Sequence, residues 1–126
     1  MKPAARPVDF NPLRIHLPMS GWVSLLHRVS GVLLFTALPL GVTALSVSLA
    51  DEGGFQRAAG WLGHPLGKLA LLTWTWAFAH HFCAGLRHLA LDVHWGASLP
   101  HTRRSSIAVL VVSGVVTLAA AWSLFG

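Results

Sequence analysis

A polar stripe runs along one apolar segment of the chain, and its side chains are of types that can ligate a metal. His81, Gly85 and His88 are spaced i, i+4 and i+7, and Asp92 extends the series to i+11. Residues at these spacings share one face of a helix. A buried imidazole can ligate haem iron, and a glycine one turn away leaves room for the porphyrin. A hydrogen-bonded structural histidine explains His81 equally well from spacing alone.

Neighbouring residues offer alternatives to this interpretation. His80 is a rival ligand, but it points about 100° away around the helix, and we interpret it as a packing or interface residue. His88 could instead cap the helix end, and Gly85 could serve close helix packing, which is common in membranes.

A second candidate site lies in the stretch SLLHRVSG, which starts at Ser24. Ser24 and Arg28 are i and i+4, hence on one helix face, with His27 beside them. A hydroxyl and a guanidinium near a membrane surface can bind a quinone carbonyl oxygen and stabilise its reduced forms. The alternative is a capping serine with an arginine that extends its charge to the interface.

Membrane-spanning helices must position these residues. Hydrophobic residues make up 54% of the chain and charged residues 10%, against about 25% charged in an ordinary globular domain. A span needs about 20 mostly apolar residues, and its backbone can satisfy itself only as a helix. We predict one all-α membrane-anchor domain over residues 1–126, with three transmembrane helices. A short interfacial helix around residues 55–61 is a further option. The predicted parts are an N-terminal segment 1–21 and spans 22–49, 66–93 and 105–125.

Several other classes of protein are excluded by composition. The single Cys83 allows neither an intramolecular disulfide nor a thiolate zinc site. The net charge of +5 does not indicate nucleic-acid binding, because the basic residues are scattered around apolar segments. The N-terminus lacks the apolar region of a secretory signal. We therefore expect a multi-pass protein of a bacterial cytoplasmic (inner) membrane, in contact with lipid.

The distribution of charge predicts an orientation. Basic residues precede the first and third spans, whereas the connection between the first and second spans carries an acidic pair. The positive-inside bias then places the N-terminus in the cytoplasm and the C-terminus in the periplasm. The residues concerned are Lys2, Arg6 and Arg14, then Arg103 and Arg104, against Asp51 and Glu52.

Three motifs, taken together, resemble a known family. RPVDFNPLRIHLPMS, SLLHRVSG and HHFCAGLRHLALD occur in this order over nearly the whole chain. They are similar to the cytochrome b556 membrane-anchor subunits of succinate dehydrogenase, the C subunits of succinate:quinone oxidoreductase (complex II). The resemblance implies that His81 is an axial ligand of haem b and that Ser24 and Arg28 line the ubiquinone pocket. It also implies that His27, Arg28 and His88 lie by the haem propionates.

The same resemblance implies partners and a reaction. A second membrane-anchor subunit would supply the other haem ligand and complete a haem-binding helix bundle, and both would anchor a flavoprotein and an iron–sulfur subunit. Electrons from succinate would pass through iron–sulfur clusters to ubiquinone, linking the tricarboxylic acid cycle to the respiratory chain. This chain would then be a subunit of an enzyme, with no flavin chemistry of its own. Two alternatives stay open: a fumarate reductase-type menaquinone anchor, and a small membrane scaffold or transporter subunit without haem.

Overall fold

The computed structural model describes residues 17–126, and this part of the chain is built from four helices joined by short connections. The predicted all-α class is confirmed. The first motif and the basic residues Lys2, Arg6 and Arg14 lie outside the described residues. The helices are α1 (Met19–Ala50), α2 (Glu52–Gly63), α3 (Pro65–Asp92) and α4 (Leu99–Phe125).

The count of three transmembrane helices is not confirmed. Four helices are present, because the connection after the first predicted span folds as α2. Within residues 17–126, two helices, α1 and α4, are long and apolar enough to cross a membrane. The helix between them, α3, is equally long, but its histidines and charged residues make it less apolar. Two of these histidines, His81 and His88, are candidate site residues.

Single residues separate α1 from α2 and α2 from α3. Asp51 is the N-cap of α2, and its carboxylate accepts a hydrogen bond from the amide of Gly54 at 2.6 Å. His64 is the N-cap of α3, where its Nδ1 accepts from the amide of Leu66 at 3.2 Å. Both caps satisfy backbone donors that a helix start leaves without intrahelical partners.

Glycine is required where α2 approaches α1 and where α3 approaches α2. A Cβ on Gly54 would meet the carbonyl oxygen of Val47 in α1, and one on Gly67 would meet the carbonyl oxygen of Trp61 in α2. These contacts are with backbone atoms, which cannot rotate away. The two glycines therefore allow α1, α2 and α3 to follow one another without a longer loop.

Helix α3 lies between α1 and α4, which contact each other less extensively. A small core of Val23, Ala84 and Val109 sits where these three helices meet. Most large apolar side chains point outwards instead, including Phe35, Leu118 and Trp122. An apolar surface of this extent is what lipid or a membrane-embedded partner covers. The described chain therefore positions its candidate site on three packed helices that share only a small core.

Candidate functional site

His81 is fixed against α1 through one of its ring nitrogens. It is half-buried on α3, and its Nδ1 lies 3.0 Å from the backbone carbonyl oxygen of His27 and 3.2 Å from Oγ of Ser30. A carbonyl oxygen can only accept, so Nδ1 is the nitrogen that carries the hydrogen. The lone pair is then on Nε2, for which residues 17–126 provide no hydrogen bond. This is the arrangement of an imidazole that ligates a metal.

Ring contacts join His81 to His27 and His27 to His88, and these three residues form a histidine cluster. The rings of His27 and His81 stack with centroids 4.1 Å apart and planes 13° from parallel. The ring of His88 is tilted 60° to that of His27 at 5.2 Å. Three of the sequence-predicted residues, His27 on α1 and His81 and His88 on α3, thus meet at one place.

Two glycines make room for this cluster. A Cβ on Gly31 would lie 3.1 Å from Cε1 of His81, which is closer than ordinary carbon–carbon contact. A Cβ on Gly85 would lie 3.5 Å from Nε2 of His27. The space beside Gly85, where the sequence predicts a porphyrin, is therefore occupied by the ring of His27.

Ser24 and Arg28 lie on α1 beside the cluster, one turn apart. Ser24 is half-buried and Arg28 is exposed. Within residues 17–126 no hydrogen bond or ion pair engages the guanidinium of Arg28. The two residues do not form an enclosed pocket with the described part of this chain.

His80 is turned away from the cluster and into the interface between α1 and α3. Its side chain is 0% exposed and its Nε2 lies 3.5 Å from the carbonyl oxygen of Val23. The ring stacks on Trp76 at 5.5 Å. Its Nδ1 is buried without a partner among the described residues. This position differs from that of His81, whose ring stacks on His27.

Arg87 also points away from the histidine cluster. It is 7% exposed, and its Nε donates to Oγ of Ser105 at 3.1 Å. One terminal nitrogen donates to the carbonyl oxygen of Thr102 at 3.4 Å. Arg87 therefore joins α3 to the start of α4. Asp92, the last residue of the stripe, is exposed at the end of α3.

Ser30 and Gly31 also belong to the site, although their residue types alone predict only close packing of helices. Both lie one turn after His27 on α1 and contact His81 across the interface. A signal existed in the spacing, since Ser30 is three residues from His27 and shares its side of the helix. That spacing alone cannot say which residue of another helix lies opposite.

The chain is similar to membrane subunits of one kind of respiratory enzyme. Residues 2–120 match the family described as succinate dehydrogenase/fumarate reductase transmembrane subunit. A succinate dehydrogenase cytochrome b556 subunit from Coxiella burnetii is 35% identical, over 94% of this chain and 97% of the relative. Subunits of the same name from Rickettsia prowazekii and Paracoccus denitrificans are 31% and 30% identical. These alignments cover 84% and 90% of this chain, and 83% and 89% of the relatives, respectively.

Proposed function

This chain belongs to the succinate dehydrogenase/fumarate reductase transmembrane subunit family, and we propose that it is the haem b- and quinone-binding anchor of a succinate dehydrogenase. The observation that carries the proposal is the setting of His81. Its Nδ1 is hydrogen-bonded to α1, and its Nε2 has no partner within residues 17–126. Relatives named cytochrome b556 subunits support haem b as the cofactor.

The donors of the histidine cluster would fit a haem with one ligand from this chain once the ring of His27 turns out of the space beside Gly85. His81 would hold the iron through Nε2, and the bound haem would accept and return one electron at a time. His27, Arg28 and His88 would face the propionates, for which cationic or hydrogen-bonding side chains are suitable partners. No group of three or more His, Cys, Asp or Glu within residues 17–126 could hold a metal ion alone. A partner membrane subunit would supply the other ligand of the haem.

Ser24 and Arg28 would contribute to the ubiquinone site. The hydroxyl and the guanidinium can both donate to a quinone carbonyl oxygen, and the positive charge stabilises negative charge that develops on reduction. Oxidation of succinate to fumarate releases two electrons and two protons. The electrons would travel through the iron–sulfur subunit, and ubiquinone would take up two electrons and two protons to become ubiquinol.

The proposed anchor crosses a bacterial inner membrane three times, through α1, α3 and α4. The histidines of α3 would then face protein and cofactor, since ionisable residues at membrane depth rarely face lipid. Arg103 and Arg104 at the start of α4 support a cytoplasmic location for that end, with the C-terminus in the periplasm. The flavoprotein and iron–sulfur subunits would bind on the cytoplasmic side.

A pair of substitutions tests the haem assignment in the purified complex. We expect His81→Leu to abolish the reduced-minus-oxidised absorption band of haem b. His80→Leu is the matched control, because it removes the neighbouring imidazole from a position facing α1, and we expect it to retain the band. The opposite result would transfer the ligand role to His80. A wild-type complex without any haem b band would favour a scaffold or transporter subunit instead. Extraction of bound quinone would distinguish ubiquinone from menaquinone.

A further inference from the structure

Ser30 is a fully buried polar residue of α1, and its hydroxyl contacts one group on α1 and one on α3. Its side chain is 0% exposed. Its Oγ lies 2.9 Å from the carbonyl oxygen of His27 and 3.2 Å from Nδ1 of His81. Together with the 3.0 Å separation between Nδ1 and the His27 carbonyl oxygen, these contacts form a closed triangle of three polar atoms.

The positions of the hydrogens in this triangle follow from what each group can do. The His27 carbonyl only accepts, so both of its neighbours donate to it. The single hydrogen of the Ser30 hydroxyl is therefore directed at that carbonyl, and a lone pair of Oγ remains towards Nδ1. The N–H of His81 then has two acceptors, the His27 carbonyl and Ser30 Oγ. The reverse arrangement would bring a bare Nδ1 to 3.0 Å from a carbonyl oxygen, where two lone pairs repel.

We propose that Ser30 is a positioning residue for His81. Its Oγ is a second acceptor for the Nδ1–H that the His27 carbonyl fixes, so it orients the ring with Nε2 towards haem iron and increases the basicity of Nε2. This inference rests on the proposed role of His81 as the haem ligand. A hydrogen-bond acceptor at the far nitrogen of a ligating histidine fixes the ring orientation and makes the other nitrogen a stronger donor. A stronger donor favours ferric over ferrous iron, so Ser30 would lower the reduction potential of the haem.

The other buried serines of the chain separate this role from ordinary helix packing. Ser106 and Ser113 are 0% and 1% exposed and also donate to carbonyl oxygens three or four residues earlier in their own helix. Such bonds are common for serine within helices. Ser30 makes the same intrahelical bond but also contacts an imidazole on another helix. Ser113 is therefore a matched control for the loss of a buried hydroxyl.

The test is redox titration of the haem in the purified complex, with Ser30→Ala, Ser30→Cys and Ser113→Ala compared with the wild type. We expect Ser30→Ala to shift the reduction equilibrium about threefold towards ferrous haem, which is ~30 mV for a one-electron couple. The electron paramagnetic resonance spectrum of the ferric haem should change as well. Ser30→Cys keeps the size of the side chain with a weaker acceptor, and its potential should move in the same direction. Ser113→Ala should change neither property.

The outcomes distinguish the positioning role of Ser30 from the ligand role of His81. Unchanged potential and resonance spectrum in both Ser30 variants would overturn the positioning role, even if His81→Leu abolishes haem binding. Loss of assembly in both Ser30 variants while Ser113→Ala assembles would also overturn it, in favour of a purely structural role. Retention of haem by His81→Leu would instead refute the proposed ligand itself.

Discussion

Substitution of Gly31 by alanine tests the contact between α1 and His81 most directly. The added Cβ would lie 3.1 Å from Cε1 and 3.5 Å from Nδ1 of the imidazole. Ordinary carbon–carbon contacts are about 3.5–4.0 Å, so the ring or the helix must move by ~0.4 Å. Such a movement lengthens the 3.0 and 3.2 Å separations that hold Nδ1.

Two opposing terms set the size of the effect on stability. Alanine favours a helix interior over glycine by about 0.5–1 kcal/mol. Inserting a methyl group into a packed contact costs about 1–3 kcal/mol. We therefore expect Gly31→Ala to be neutral or destabilising by up to ~2 kcal/mol. It should also perturb the haem, because the displaced atoms belong to the proposed ligand.

Gly41→Ala is the matched control in the same helix. A Cβ at this position meets nothing within 4 Å, so only the helix-propensity gain remains. The assay is thermal unfolding of the detergent-purified complex together with the absorption and electron paramagnetic resonance spectra of its haem. We expect Gly41→Ala to melt at the wild-type temperature or above with unchanged spectra, and Gly31→Ala to melt lower than Gly41→Ala with altered spectra. Identical behaviour of the two variants would refute the close contact between Gly31 and His81.

Two further predictions concern the residues beside the cluster. Arg28→Leu should reduce succinate-dependent quinone reduction about 10- to 100-fold, because a charge-assisted hydrogen bond contributes about 1.5–3 kcal/mol, while succinate oxidation with a soluble artificial acceptor is retained. Arg104→Leu is the control, since it removes an exposed charge from α4. If Arg28→Leu lost quinone reduction and succinate oxidation equally, a local quinone role would be contradicted. Ser105→Ala should destabilise the complex by about 1–3 kcal/mol, because it deprives the buried guanidinium of Arg87 of an acceptor. Ser106→Ala is the control, because Ser106 and Ser105 both donate to the carbonyl oxygen of Thr102 and Ser106→Ala loses only that bond. It should lower the melting temperature less than Ser105→Ala. An equal decrease would show that Arg87 does not depend on Ser105.

Much of the helical architecture could be predicted because it depends on local sequence. The apolar segments 22–49 and 66–93 correspond to α1 and α3, whose ends are marked by Pro18, Asp51 and His64. The start of α4 was less predictable. This helix begins at Leu99 rather than near residue 105, because its first turns are polar and lie before the apolar segment. Hydropathy detects the apolar part of a helix and not the polar turns that precede it.

Contacts between helices could not be predicted in the same way. The i, i+4 and i+7 spacing correctly places His81, Gly85 and His88 on one side of α3, because that relation is internal to a helix. The rotation of α1 relative to α3 decides that Ser30 and Gly31, rather than Ser24 and Arg28, contact His81. It also decides that the ring of His27 lies beside Gly85. A single sequence contains no direct record of that rotation.

The single-residue junctions at Asp51 and His64 limit where the chain tolerates insertions. Each added residue in a helix rotates everything that follows by about 100° and advances it by about 1.5 Å. An insertion at either junction has no loop to absorb it, so it would displace α2 or turn the face of α3 away from Ser30 and Gly31. Within residues 17–126, the connection 93–98 between α3 and α4, with Gly96 in a left-handed conformation, is the place where length can vary at least cost. Added residues are therefore better accommodated there than between α1 and α3.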